Sequence, residues 1–121
     1  RGLLDAVGLG GYTAPPAVEL PYGRKRALEI ATTLALEPEL MLLDEPTAGM
    51  AHEDVGRISA LIRKVAANRT VLMVEHNLSV VENLSDIITV LSRGEVLAEG
   101  DYQSVSRNTD VIQAYLGTSH A

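Results

Sequence analysis

Apolar positions along this chain recur at two different spacings, and the alternation between the two sets the predicted elements. Leu3, Leu4 and Val7 fall at helical spacing and predict a short helix over 1–9, ended by Gly8 and Gly10-Gly11. Pro15-Pro16 then mark 10–19 as a loop. Ala27, Ile30, Ala31, Leu34 and Ala35 form one apolar stripe, which predicts a helix over 22–36 that Pro38 brings to an end. Leu40 to Leu43 is apolar without interruption, the pattern of a parallel strand over 40–44 buried on both faces.

The same alternation continues downstream. Val55, Ile58, Leu61, Ile62 and Val65 predict an amphipathic helix over 52–67, opened favourably by the acids Glu53 and Asp54. A second apolar strand covers 70–74, and Leu78, Val81 and Leu84 mark a short helix for which Asn77 is the expected cap. A third strand over 86–91 leads through the turn Ser92-Arg93-Gly94 into a short strand over 95–98. A last helix over 110–116 is expected to be capped by Thr109 and stopped by Gly117. Strands alternating with helices predict an α/β fold with a mostly parallel sheet flanked by helices.

Composition narrows the picture. With 121 residues the chain is one small domain or part of a larger one. It has no cysteine, which excludes disulfides and thiolate metal sites and fits a reducing compartment. A net charge of -6 argues against a nucleic-acid-binding face, and Arg24-Lys25-Arg26 is the one run of three basic residues. No apolar run approaches the ~18 residues of a membrane span, and no signal peptide opens the sequence. The expectation is a soluble, intracellular chain whose core is built from Leu, Val, Ile and Ala, since Phe and Trp are absent.

Candidate chemistry lies at the strand ends. Asp44 and Glu45 follow the first apolar strand, and Pro46 turns the chain. Acids at the carboxyl end of a buried strand sit where open α/β sheets bind ligands. The second strand ends in Val74-Glu75-His76, and Leu20-Pro21-Tyr22-Gly23-Arg24-Lys25-Arg26 opens the helix upstream. Taken alone, the acids also suit a loop start, the histidine suits a structural role, and the basic run suits a solvated turn. His52 and His120 have no comparable context and read as solvated.

In this order and spacing the three segments resemble motifs of the ATP-binding cassette (ABC) ATPases: the signature motif, Walker B with its catalytic glutamate, and the switch histidine. The resemblance implies that Asp44 acts on Mg²⁺ through bound water and that Glu45 orients or deprotonates the water attacking ATP. It implies that His76 donates to the γ-phosphate. It also implies that Pro21, Tyr22, Gly23 and Arg24 face the ATP of the opposite subunit at a helix start. Pro21 stands where the family usually has serine and Arg24 where it has glutamine, so a weakened contact is expected, carried by Gly23 and the helix amides.

Ala48-Gly49-Met50-Ala51 holds the place of the loop that crosses the family's dimer interface, with Ala51 where many members have aspartate. Its Gly-Met pair and the tail over 98–117 resemble members that serve branched-chain amino acids. No G-x-x-x-x-G-K-S/T phosphate loop occurs in the sequence; Gly8-Leu-Gly-Gly11 lacks the lysine. The resemblance therefore implies the second half of a cassette of the RecA-like P-loop NTPase class, with the phosphate-loop strand missing. Residues 1–36 are expected to end the helical subdomain and carry the signature helix. Residues 37–100 form the C-terminal part of the ATPase core, and 101–121 form a helical extension. Without that central strand two sheet edges stay unpaired, and the chain alone is expected to be marginally stable.

The function so implied is that of the C-terminal half of an ABC transporter ATPase subunit. It energises import of branched-chain amino acids or related amides, and the fragment alone is expected to be inactive. The implied partners are a second ATP-binding subunit, membrane permease subunits and the missing N-terminal half of the cassette, with no nucleic acid. The implied location is cytoplasmic, peripheral to the inner face of the cell membrane. Two other readings stay open at this point: a soluble ABC-type ATPase acting on nucleic acid or in translation, and a truncated non-catalytic interaction module.

Overall fold

A computed structural model describes residues 22–116. The predicted helix over 1–9, the loop over 10–19, Pro21, the stop at Gly117 and His120 lie outside the described residues. The chain divides into two compact units after Asn77.

The first unit contains α1 (Tyr22–Leu34), β1 (Leu40–Asp44), α2 (His52–Ala66) and β2 (Thr70–Val74). Both strands have the predicted bounds, and they pair in parallel with Leu42 opposite Leu72 and Asp44 opposite Val74. α1 buries Gly23, Ala27, Ile30, Ala31 and Leu34, one stripe at helical spacing. α2 buries Ile58, Leu61, Ile62 and Val65 and packs on α1. Met41 is buried to 1% exposure. α1 stops four residues short of Pro38, and Glu37 takes the left-handed conformation at φ 51° that commonly terminates helices.

Burial of β1 on both faces is not observed. Exposure alternates along both strands, and Leu40, Leu42, Leu72 and Val74 stand open at 53–68% on one face. Met41, Leu43, Val71 and Met73 form the covered face; among the described residues nothing covers the other.

The second unit contains α3 (Leu78–Leu84), β3 (Ile88–Ser92), β4 (Glu95–Gly100), α4 (Tyr102–Ser106) and α5 (Thr109–Val111), which runs into a π-helical turn over Ile112–Leu116. β3 and β4 form an antiparallel hairpin around Arg93-Gly94, both at positive φ, as a tight two-residue hairpin turn requires. The register slips by one residue between Val90 and Leu91, a β-bulge. α4 was not anticipated: it is a single short helix whose start is fixed by the Asp101 carboxylate accepting from the Ser104 N–H at 2.8 Å. The expected cap at Thr109 is corrected to Asn108, whose side chain accepts from the N–H groups of Asp110 and Val111. The Tyr115 hydroxyl donates to the Leu91 carbonyl. Among the described residues no helix is long and apolar enough to cross a membrane.

Candidate functional site

All contacts of the candidate site lie within the first unit. β1 ends at Asp44, and the N–H of Glu45 extends the parallel pairing by donating to the Val74 carbonyl at 2.7 Å. Glu45 itself is at φ 45°, a left-handed conformation that costs a non-glycine residue about 1 kcal/mol or more and persists only where surroundings hold it. The chain then folds back on itself: Ala48 donates to the Glu45 carbonyl, Met50 to that of Thr47, and Gly49 supplies a second positive φ.

Arg26, on α1, is part of what holds that turn. Its Nη2 donates to the carbonyls of Asp44 at 3.1 Å and Glu45 at 2.9 Å, and its Nε reaches the Pro46 carbonyl at 3.4 Å. Its Nη1 pairs with Glu29 at 2.9 Å, and this hydrogen bond raises the guanidinium above its ordinary pKa. α1 is thus bonded to the main chain of three consecutive residues of the acidic loop. A solvated basic turn does not describe Arg26.

The loop after β2 lies beside the acidic loop. His76 Nε2 is 3.3 Å from Glu45 Oε1, with both side chains about half exposed or more. Glu75 spans the two loops. Its Oε2 accepts from the Thr47 hydroxyl at 2.7 Å and the Thr47 N–H at 3.3 Å, while Oε1 accepts from the N–H groups of His76 and Asn77. Thr47 is 4% exposed, the one buried polar residue of the described core.

The structure therefore brings Asp44, Glu45 and His76 to adjacent strand ends. Asp44 is exposed, and among the described residues no group of three His, Asp or Glu side chains gathers to hold a metal. A single exposed carboxylate suits Mg²⁺, which keeps most of its waters and takes one or two protein carboxylates.

Of the residues expected to form a signature motif, Tyr22, Gly23 and Arg24 are described, at the start of α1. Tyr22 is half exposed, whereas Gly23 is buried, and a Cβ there would lie 2.8 Å from Cγ of Asp54. The close approach that glycine permits at 23 is thus, within this chain, to α2. Gly23, Arg24 and Asp54 border a small cleft of about 30 Å³. Three residues of the site went unread in the sequence: Arg26 as a clamp, and Thr47 and Glu75 as a bridge. The available signal was an acid directly before the strand-end histidine and a hydroxyl directly after the turn proline.

The family model described as branched-chain amino acid ATP-binding cassette transporter matches residues 95–121. The high-affinity branched-chain amino acid transport ATP-binding protein BraF of Pseudomonas aeruginosa is 40% identical over 116 residues, covering 94% of this chain and 46% of BraF. LivG of Salmonella typhimurium, which carries the same description, is 38% identical over the same shares. Among solved structures, the ADP conformation of an ATP-binding cassette of an ABC transporter superposes with a TM-score of 0.86 at 29% identity, covering 96% of this chain and 48% of that one. Clostridium perfringens cbiO1, part of the ABC transporter complex cbiONQ, gives 0.80 at 28% identity, covering 93% and 46%. The chain spans about half the length of the curated relatives it matches. In sequence and fold it matches the C-terminal part of an ATP-binding cassette of the branched-chain amino acid type.

Proposed function

We propose that this chain, as the C-terminal part of an ATP-binding cassette, belongs to the ATP-hydrolysing subunit of an importer of branched-chain amino acids or related amides. The observation that carries the reading is the approach of Glu45 Oε1 to His76 Nε2, 3.3 Å apart at the ends of two parallel strands, with Asp44 directly before Glu45. The substrate class rests on what BraF and LivG are named for.

Glu45 is the general base that takes the proton of the water attacking ATP. Its carboxylate is half exposed, so water has access. His76 donates to the γ-phosphate from the neighbouring loop. Asp44 would hold Mg²⁺, and the metal would supply neutralisation of phosphate charge. Pro21, Tyr22, Gly23 and Arg24 face the ATP of a second subunit, with Gly23 in the first turn of α1, at the positive end of a thirteen-residue helix. The loop Ala48-Gly49-Met50-Ala51 crosses between the subunits. The remaining partners are permease subunits, met at the cytoplasmic face of the membrane, and the net charge of -6 weighs against nucleic acid. In this assignment 1–36 end a helical subdomain, 37–100 complete the ATPase core and 101–121 form an extension. The phosphate cradle comes from the other half of the cassette, so the 121-residue chain alone is inactive.

The test is Glu45→Gln in the full-length protein. It removes the base without changing shape, and a positioned base contributes about 10²–10⁴-fold. Hydrolysis falls by that factor while MgATP still binds. An undiminished rate overturns the assignment.

A further inference from the structure

We infer that Glu75 is a positioning residue that couples the loop carrying Glu45 to the loop carrying His76 by bridging them through Thr47. The inference rests on the ATPase reading and adds to it a residue that stands outside its motifs.

Both carboxylate oxygens of Glu75 are engaged by the protein. Oε2 takes both the hydroxyl and the N–H of Thr47; Oε1 takes the N–H groups of His76 and Asn77. With both oxygens engaged by protein donors, Glu75 is not placed to act as a base itself. Glu45 touches His76 with one oxygen and is half exposed. The two acids therefore divide the work: one is open to water, and the other is tied into the scaffold.

Each end of the bridge sits within two residues of a reacting group. Thr47 is two residues after Glu45, is buried, and is anchored where Glu45 holds its left-handed backbone. His76 is the residue directly after Glu75. The β1–β2 pairing ends at Asp44 and Val74, with one more bond from the Glu45 N–H. Beyond that, the Glu75–Thr47 bridge joins the two loops through side chains. Losing it frees the Glu45–His76 separation, and displacement of reacting groups by about 1 Å can cost on the order of 10²-fold in rate.

A glutamine at this position has one acceptor oxygen: placed on the His76 and Asn77 N–H groups it leaves its NH2 to the Thr47 hydroxyl but the Thr47 N–H without a partner, and placed on Thr47 it turns the NH2 against the His76 and Asn77 N–H groups. The full-length protein with its transporter partners is assayed as wild type, Glu75→Gln, Thr47→Val, Thr47→Ser and Glu45→Gln. Expected is a fall in kcat of ~10- to 100-fold for Glu75→Gln, with KM for MgATP and nucleotide affinity within about threefold of wild type. Thr47→Val follows in the same direction, and Thr47→Ser, which keeps the hydroxyl, restores activity. Equal kcat in wild type and Glu75→Gln, while Glu45→Gln abolishes hydrolysis, overturns this inference alone. Loss of melting temperature with kcat and nucleotide binding falling together in both Glu75→Gln and Thr47→Val makes the bridge merely structural and also overturns it. A wild type that does not hydrolyse MgATP overturns the ATPase reading and this inference with it.

Discussion

Nη2 of Arg26 donates to the main-chain carbonyl of Glu45 at 2.9 Å, fastening α1 to a residue whose φ is 45°. The same guanidinium reaches the carbonyls on either side, of Asp44 and Pro46. A planar fork spreads its N–H donors over three nitrogens and reaches separated acceptors at once, whereas the three donors of an ammonium radiate from a single nitrogen.

Arg26→Lys should therefore behave more like Arg26→Ala than like wild type. Hydrogen bonds from a charged donor are worth about 1.5–3 kcal/mol each when well shielded, and the side chain is a quarter exposed. We expect both variants of the full-length protein to lose ~1–2 kcal/mol in urea unfolding. They should also hydrolyse ATP more slowly. Wild-type behaviour of the lysine variant would mean that the fork is not what holds the loop.

Gly23 and Asp54 make a second testable pair. Alanine usually improves a helix interior by ~0.5–1 kcal/mol over glycine, yet a Cβ at 23 would stand 2.8 Å from Cγ of Asp54. Gly23→Ala is expected to destabilise by ~1 kcal/mol through overpacking. In an Asp54→Ala background, where only the Cβ at 3.1 Å remains, the penalty should shrink. Equal penalties in both backgrounds would show that the close approach is not limiting.

The legibility of this fold follows contact range. β1 and β2 were readable to the residue because four consecutive apolar positions bounded by polar ones leave little freedom in where a strand starts and ends. The stripe of α2 was readable for the analogous reason at period 3.6. Asp44, Glu45 and His76 were readable as strand-end residues, since their meeting requires only that the two strands be parallel neighbours. Glu75 and Thr47 are 28 residues apart, and their bond depends on register and turn geometry together, which no local pattern encodes. The coverage of β1 was misread because a wholly apolar run looks the same whether one face is covered or two. α4 escaped notice because a single turn burying only Val105 has no periodicity to detect.

A pH prediction comes from the second unit. The Ser104 main-chain N–H, and after it the Ser104 side chain, hold the Asp101 carboxyl below its ordinary value. A depressed folded-state value means that the cap contributes its full stability above the unfolded value of about 3.9 and loses it as pH falls through the folded value. Amide exchange over Tyr102–Ser106 should accordingly gain protection from Asp101 at neutral pH, and Asp101→Ala should erase the pH dependence. Protection that is unchanged down to acidic pH would place the stabilisation elsewhere.

The open face of β1 and β2 gives the sharpest contrast between the chain alone and the longer protein proposed for it. Leu40, Leu42, Leu72 and Val74 form a contiguous apolar surface, with Leu42 directly opposite Leu72, on strands that are not covered from that side among the described residues. Burying one such side chain is worth about 1.5–3 kcal/mol, so a face left open in this way is expected to drive self-association in water. The 121-residue chain should sediment as oligomers and melt without a cooperative transition when dilute. Leu42→Lys with Leu72→Glu should make that chain more monomeric, because charges on an open face are hydrated. In the full-length protein the rest of the cassette is expected to cover the same face. There the same pair of substitutions desolvates two charges, and even with mutual pairing should cost several kcal/mol and much of the folded yield. Opposite effects of one double substitution in the two contexts, read by sedimentation for the chain and by soluble yield and melting for the full-length protein, are the expected result. A full-length protein indifferent to the pair would mean that this face is solvent-exposed there too, and that the chain does not complete a cassette in the way proposed.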